Sequence, residues 1–195
     1  DAVEVRHEDR GDHHEITINV PRHRNRSRLF GMLIEELDIT VQLPAGSSVS
    51  MTGATADLTV RGDMGRVEAK SASGDVHVER CTGGKVASVS GDVNVRLVEG
   101  ECTTQTVSGD VRIGVLRGDL KARTVSGDLV LECAVEGEMS VGTVSGDVRI
   151  GIQRGSRLAV DANSASGDLS SEVNLSDDAS PGEGPVVDVR VPPVS

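Results

Sequence analysis

The chain has 195 residues and a formal net charge of −11, and 36% of its residues are hydrophobic although Phe30 is its one aromatic residue. A negative chain without aromatic stacking platforms is poorly suited to nucleic acid, so we expect no nucleic-acid partner. No apolar run approaches the roughly 20 residues of a membrane-spanning helix, and no cofactor motif occurs, so we predict neither a transmembrane segment nor a cofactor.

The first 37 residues differ in pattern from the rest of the chain. Alternating polarity predicts strands at residues 2–6 and 15–20, around a polar turn at residues 8–13. A basic loop, 21–28, and an apolar segment, 29–37, follow, and we expect the apolar segment to cap the repeats. A contact with a membrane surface or a partner is the alternative, through Arg22, Arg24, Arg26, Arg28 and Phe30.

From residue 38 onward the chain is repetitive. Ser-Gly-Asp occurs six times, and its aspartates are separated by 17, 18, 18, 19 and 21 residues: Asp75, Asp92, Asp110, Asp128, Asp147 and Asp168. Degenerate copies led by Asp57 and Asp38 extend the series toward the N-terminus. Residues 38–195 are therefore predicted to form about eight coils of about 18 residues each.

Each predicted coil contains a second glycine about half a period after Ser-Gly-Asp, at Gly83 or Gly84, Gly100, Gly118, Gly137 and Gly155. After Gly109, apolar residues alternate at Val111, Ile113 and Val115, and after Gly118 they alternate at Leu120, Ala122 and Thr124. This pattern predicts an all-β, single-stranded parallel β-helix (a β-solenoid) with two main strands per coil. Crossover chirality favours a right-handed coil. The inward residues have odd numbers in the first strand and even numbers in the second. We therefore expect Gly118 and the Ser-Gly-Asp turn each to change which side of the chain faces inward.

A coil of 18 residues also equals three hexapeptides, the unit of the left-handed β-helix. Stepping by six from Val111 gives Arg117 and Arg123, where that fold requires aliphatic residues. The hexapeptide alternative is therefore rejected.

The repeated Gly and Asp residues are predicted to be structural. Glycine accepts backbone angles that other residues avoid, and Asp bonds nearby backbone N–H groups. The turn glycines are Gly74, Gly91, Gly109, Gly127, Gly146 and Gly167. Stacked carboxylates at Asp75, Asp92, Asp110, Asp128 and Asp147 leave a Ca²⁺ ladder as the alternative, although the calcium-binding nonapeptide GGxGxDxUx is absent.

At the C-terminal end, residues 176–185 form an acidic loop rich in Ser, Pro and Gly, which we expect to be mobile and inserted between strands at 169–175 and 186–191. The chain stops where another coil would start, so we expect the natural protein to continue. It begins at Asp1 rather than Met, so we also expect a segment upstream.

Cys81, Cys102 and Cys133 form no metal-binding or disulfide pattern, so we predict buried free thiols. With no visible export signal, they favour a cytoplasmic location over the cell surface. The five histidines, His7, His13, His14, His23 and His77, have no metal-binding spacing and are predicted to be solvated.

The tandem (T/S)-V-S-G-D-(V/L) units, preceded by Leu43-Pro44-Ala45-Gly46, resemble a bacterial family of β-strand-repeat proteins that carries the label of adhesin. The style of the sequence resembles that of actinobacterial members. The resemblance implies a single-stranded β-helix and supplies no catalytic residues for this chain.

The sequence therefore predicts a non-catalytic scaffold or adhesin-like module that binds a protein partner. Self-assembly into filaments through open solenoid ends is the second hypothesis. A glycan-active enzyme is the third, and we do not predict it, because its cleft would need aromatic platforms or converging acids from long loops. We therefore predict that the protein is not an enzyme.

Overall fold

The computed structural model describes residues 4–9, 14–19, 38–174 and 187–189, and these residues form strands and no helix. The chain divides into two compact units, Asp1–Val41 and Gln42–Ser195. In the described ranges no helix is long and apolar enough to cross a membrane.

The N-terminal unit contains a β-hairpin. Strand β1 (Glu4–Asp9) pairs antiparallel with β2 (His14–Asn19), with Glu4 opposite Asn19 and Asp9 opposite His14. Two strands were predicted here; β1 extends to Asp9, into the predicted polar turn, and β2 begins at His14, one residue before the predicted start. The basic loop 21–28, with its four arginines, and the expected cap 29–37, with Phe30, lie outside the described residues.

The second unit is a β-solenoid of about seven turns, with about 18 residues per turn, which confirms the predicted fold class. Its strands are β3 (Val49–Thr52), β4 (Leu58–Ser71), β5 (Val76–Ser88), β6 (Val93–Val98), β7 (Cys102–Gln105), β8 (Val111–Arg117), β9 (Leu120–Arg123), β10 (Leu129–Ser145), β11 (Val148–Ser166), β12 (Leu169–Asn174) and β13 (Val187–Val189). All of their pairings are parallel. The handedness stays a prediction.

The solenoid has about one turn fewer than the eight counted from the sequence. The difference lies at residues 38–48, where the chain forms no strand. The coil predicted to begin at Asp38 therefore contains only the short strand β3. At the other end, β12 and β13 both pair with β11. These two strands were predicted as the halves of one coil. The loop 176–185 between them lies outside the described residues.

Residues one coil apart stack in register, so the core consists of aliphatic columns. One column runs through Val93, Val111, Leu129 and Val148, each of which is at most 2% exposed. Because aliphatic residues stack on aliphatic residues, Val, Leu, Ile, Ala and Met fill the core without aromatic side chains. This agrees with the aromatic-poor composition.

The change of inward parity occurs earlier in the coil than we predicted. Val111 and Ile113 are buried, but the next buried residue is Leu116, whereas Val115 is partly exposed. The chain therefore bends within the first strand, at Gly114 and Val115. From Leu116 the inward residues keep one parity through Leu120, so Gly118 does not reset the face.

Candidate interaction edge

The Ser-Gly-Asp corners stack into one edge of the solenoid, and the backbones of their glycines meet there. A Cβ on Gly109 would lie closer than 3.0 Å to the carbonyl oxygen of Gly91, and Gly74, Gly91 and Gly127 have the same contact with the coil before them. Unusual backbone angles were expected at all six turn glycines, and two of them, Gly146 and Gly167, have a positive φ, 157° and 150°. The other four do not, and the close approach of the preceding coil excludes a side chain there. At the opposite corner Gly137 also has a positive φ, 118°.

The repeated aspartates form a ladder of hydrogen bonds between coils (the Asp ladder, Asp57 to Asp168). The backbone N–H of Asp110 donates to Oδ1 of Asp92 at 2.9 Å, and the N–H of Asp128 donates to Oδ1 of Asp110 at 3.0 Å. The same bond joins each of the other consecutive pairs. The predicted turn bond is therefore made to the next coil rather than within the turn.

This ladder gives each carboxylate a structural role. Oδ1 of Asp75, Asp92, Asp110, Asp128 and Asp147 already accepts a backbone N–H. Among the residues that the structure describes, no group of three or more His, Cys, Asp or Glu side chains is arranged to hold a metal ion. The Ca²⁺ ladder stays an untested alternative.

A column of buried hydroxyls lies inside the same corner, and the sequence reasoning did not identify it. Thr124 Oγ1 accepts the N–H of Gly127 at 3.1 Å, and Thr106 Oγ1 lies 3.0 Å from Thr124 Oγ1. Earlier in the column, Ser71 and Ser88 accept the N–H groups of the glycines three residues later. The sequence feature that marks this column is the Thr or Ser two residues before each serine of Ser-Gly-Asp.

Next to the hydroxyl column lies an exposed aliphatic column, which we call the valine ridge: Val89, Val107, Val125 and Val144. These side chains are 43% to 53% exposed. Large exposed apolar side chains are otherwise limited to Leu43 in the described part of the second unit, so its apolar surface is concentrated in one line.

Backbone hydrogen bonds hold the valine ridge in register. The N–H groups of Ser108, Ser126 and Ser145 donate to the carbonyl oxygens of Val89, Val107 and Val125, each at 2.8 Å. The column continues into the coils on either side as the exposed residues Ala72 and Ala165. The sequence contained a signal for this ridge, because each valine follows an inward Thr or Ser and must point outward.

The two flanks of the valine ridge differ in charge. On one side lies the Asp ladder. On the other side lies a column of outward residues with no acid: Lys70, Ala87, Gln105, Arg123, Gly142 and Asn163. The side chains of Lys70 and Arg123 are exposed and make no hydrogen bond or ion pair within the described ranges. The edge is thus apolar along its centre, negative on one flank, and neutral to positive on the other.

The cysteines lie away from this edge, and two of the three are buried as predicted. Burial in the core, with smaller contributions from the neighbouring Cys81 and Glu101, raises the pKa of Cys102 to about 12. Burial also raises the pKa of Cys81, although a hydrogen bond from the backbone of Gly83 opposes this. Cys133 is half-buried, and its sulfur lies 4.0 Å from Oε1 of Gln153.

The remaining predicted residues do not converge on a site. His77 is exposed on the first strand of its coil, and His7 and His14 lie in the hairpin, whereas His13 and His23 fall outside the described residues. The hairpin also has a shallow pocket, lined by Glu4, Arg6, Thr17, Ile18 and Asn19. Its charged residues, Glu4 and Arg6, form an exposed ion pair at 3.4 Å, and Glu4 is its single carboxylate.

Comparison with known proteins places the chain in a family. No curated protein and no solved structure matches it. A family model described as Toastrack DUF4097 matches residues 4–183, which include the hairpin and the stacked coils. The function of that family is unknown. Because the match covers most of the chain, this protein belongs to the Toastrack DUF4097 family.

Proposed function

We propose that this chain is a non-catalytic interaction scaffold of adhesin-like type, which binds a protein partner through the valine ridge. The observation that supports this function is the alignment of four exposed valines on a surface that otherwise carries few large apolar side chains. Single exposed apolar residues are normal in soluble proteins. A continuous line of them is a feature of contact surfaces.

The edge is suited to recognition by side chains. Its backbone N–H and C=O groups are used in bonds between coils, for example from Ser126 to Val107 and from Val111 to Asp128. A partner therefore cannot add a β-strand along this edge and must contact the valines and their flanks. Aliphatic side chains at the centre and polar groups at the rim match the usual anatomy of a protein interface.

Paired substitutions test the valine ridge. The variant Val107→Glu with Val125→Glu places two charges on it, and Thr82→Glu with Gln153→Glu adds the same charge at exposed positions of the half-period corner. Each protein would be crosslinked in the cells that make it, and each captured partner would be purified and its affinity measured. We expect the ridge variant to bind at least about 10-fold more weakly than the control variant. Equal affinities would contradict the proposal.

Self-assembly through the solenoid ends is a second candidate function. In the described part of the chain, β3 pairs only with β4, and β12 and β13 pair only with β11. Unpaired strand edges favour association, and a head-to-tail contact between two different ends leads to open filaments. Light scattering across a concentration series tests this candidate. Growth beyond a dimer supports it, and a species that never exceeds a dimer removes it.

A further inference from the structure

We propose that the valine ridge binds a second copy of this chain, ridge against ridge, about a twofold axis parallel to the solenoid axis. This proposal rests on the proposed function, because it names the partner of the same edge. Such a contact is isologous and closes at two copies. It therefore differs from end-to-end growth into filaments.

The spacing of the ridge favours another solenoid as its partner. Six exposed apolar residues, from Ala72 to Ala165, occupy successive coils. At about 4.8 Å per coil, the five steps between them cover about 24 Å. Five turns of an α-helix cover about 27 Å, and five steps on one face of a strand cover about 33 Å. Only a second ladder with the same spacing keeps every apolar residue in contact, and a second copy of this chain supplies one.

The charges on the two flanks select the relative direction of the copies. A twofold axis parallel to the solenoid axis places the Asp ladder of one copy opposite the flank of the other copy that carries Lys70 and Arg123. Both cations are exposed and unpaired in the described residues. A twofold axis perpendicular to the solenoid axis would place one Asp ladder opposite the other. Because facing carboxylates repel and facing opposite charges attract, the parallel arrangement is favoured.

The size of the ridge predicts a weak dimer. A strip about 24 Å long and one side chain wide, with its polar flanks, buries less than the roughly 800 Å² per partner of a standard interface. We therefore expect a dissociation constant on the order of 100 µM. Such a dimer is populated only at high local concentration.

Sedimentation velocity tests the association. The expected result is a weight-average sedimentation coefficient that rises from the monomer value toward the dimer value between about 10 µM and about 1 mM. The Val107→Glu and Val125→Glu pair should weaken dimerisation at least about 10-fold, and the Thr82→Glu and Gln153→Glu pair should leave it unchanged. A wild-type chain that stays monomeric over this range would overturn the proposal.

Disulfide trapping tests the direction of the two copies. In a Cys133→Ser background, Val89→Cys and Val144→Cys lie near opposite ends of the ridge. In the parallel arrangement each variant alone forms a crosslinked dimer under mild oxidation, because identical positions meet across the axis. Thr82→Cys is the control and should not crosslink. Crosslinking only in a mixture of the Val89→Cys and Val144→Cys variants would overturn the parallel axis.

The two proposals can fail separately. If the chain is monomeric but the ridge variant alone loses a captured partner, the second copy is the wrong occupant and the interaction edge stands. If the ridge variant and its control behave alike in partner binding as well as in sedimentation, the interaction edge itself is wrong.

Discussion

The glycine of each Ser-Gly-Asp corner has no side chain because the neighbouring coil leaves no space for one. A Cβ on Gly109 would meet the carbonyl oxygen of Gly91, and backbone cannot move aside as a flexible side chain can. Gly142 provides the contrast, because a Cβ there would have no heavy atom within 4 Å. The same substitution should therefore have different effects at these two positions.

We predict that Gly109→Ala lowers the free energy of unfolding by about 1–3 kcal/mol, the usual cost of forcing atoms into a packed interior. Gly142→Ala should change it by less than about 0.5 kcal/mol or raise it slightly. Urea denaturation measures both values. Similar values for the two variants would show that close stacking does not explain the repeated glycines.

The buried thiol of Cys102 predicts a dependence of stability on alkaline pH. Its pKa is about 12 in the folded chain and close to 9.0 when the chain unfolds. Above pH 9.0 the unfolded state therefore loses a proton that the folded state keeps, so the free energy of unfolding should fall as the pH rises toward 12. Burial of Cys81 acts in the same direction.

Urea denaturation at several pH values measures this effect. The Cys102→Ala variant should lose less stability than the wild type over the same pH range, because it has one buried thiol fewer. Equal pH dependence in the two proteins would contradict the assignment to Cys102.

The Asp ladder joins neighbouring coils, and its carboxylates act as acceptors. Replacing Asp110 with Ala removes the acceptor for the N–H of Asp128, which should lower the free energy of unfolding by about 1 kcal/mol. Asp110→Asn keeps Oδ1 and removes one of a row of like charges, so it should be at least as stable as the wild type. Thermal and urea denaturation compare the three proteins.

Calcium distinguishes this role from metal binding. If the carboxylates serve as acceptors for the next coil, millimolar Ca²⁺ should leave the melting temperature unchanged. A clear rise in the melting temperature, lost in Asp110→Asn, would establish the Ca²⁺ ladder instead.

The hydroxyl column contains paired and unpaired members at equivalent positions. Thr106 Oγ1 donates to the carbonyl oxygen of Gly109 at 2.9 Å, whereas the buried Oγ1 of Thr143 has no partner within the described chain. Valine has nearly the same shape as threonine and lacks the hydroxyl. We therefore expect Thr106→Val to destabilise the solenoid by about 1 kcal/mol and Thr143→Val to stabilise it by about the same amount.

Urea denaturation of these two variants provides the test. Because the two threonines stand in the same column, each variant is the control for the other. Changes of the same sign in both would mean that hydrogen bonding does not decide their contribution.

For the molecule as a whole, the repeat period was sufficient to predict the class of fold. Stacking at about 18 residues brings Val93, Val111 and Leu129 into one column, and alternation assigns them to the interior. The bend near Gly114 could not be predicted from the sequence. Apolar and polar residues alternate in the same way on either side of Val115 whether the chain first turns at Gly118 or already bends at Gly114. The glycine contacts were also missed, because the distance between stacked backbones depends on the folded coil.

The candidate edge was only partly predictable. The sequence indicated that Asp110 and its equivalents lie at a corner, whereas the valine before each Ser-Gly-Asp was not predicted as a contact residue. Because the side chain of Thr124 points inward, that of Val125 must point outward. How far Val125 is exposed depends on how open the corner is. The arginines at 22, 24, 26 and 28, and Phe30, remain predictions.

The valine ridge is the contact that we propose between two copies, and methyl NMR tests that contact directly. Spectra of valine-methyl-labelled protein would be recorded from about 20 µM to about 1 mM, the range over which a weak dimer forms. We predict concentration-dependent shifts at Val89, Val107, Val125 and Val144, with the buried valines of the core unchanged. Shifts at other valines with none at these four, or no shifts at all, would contradict the account.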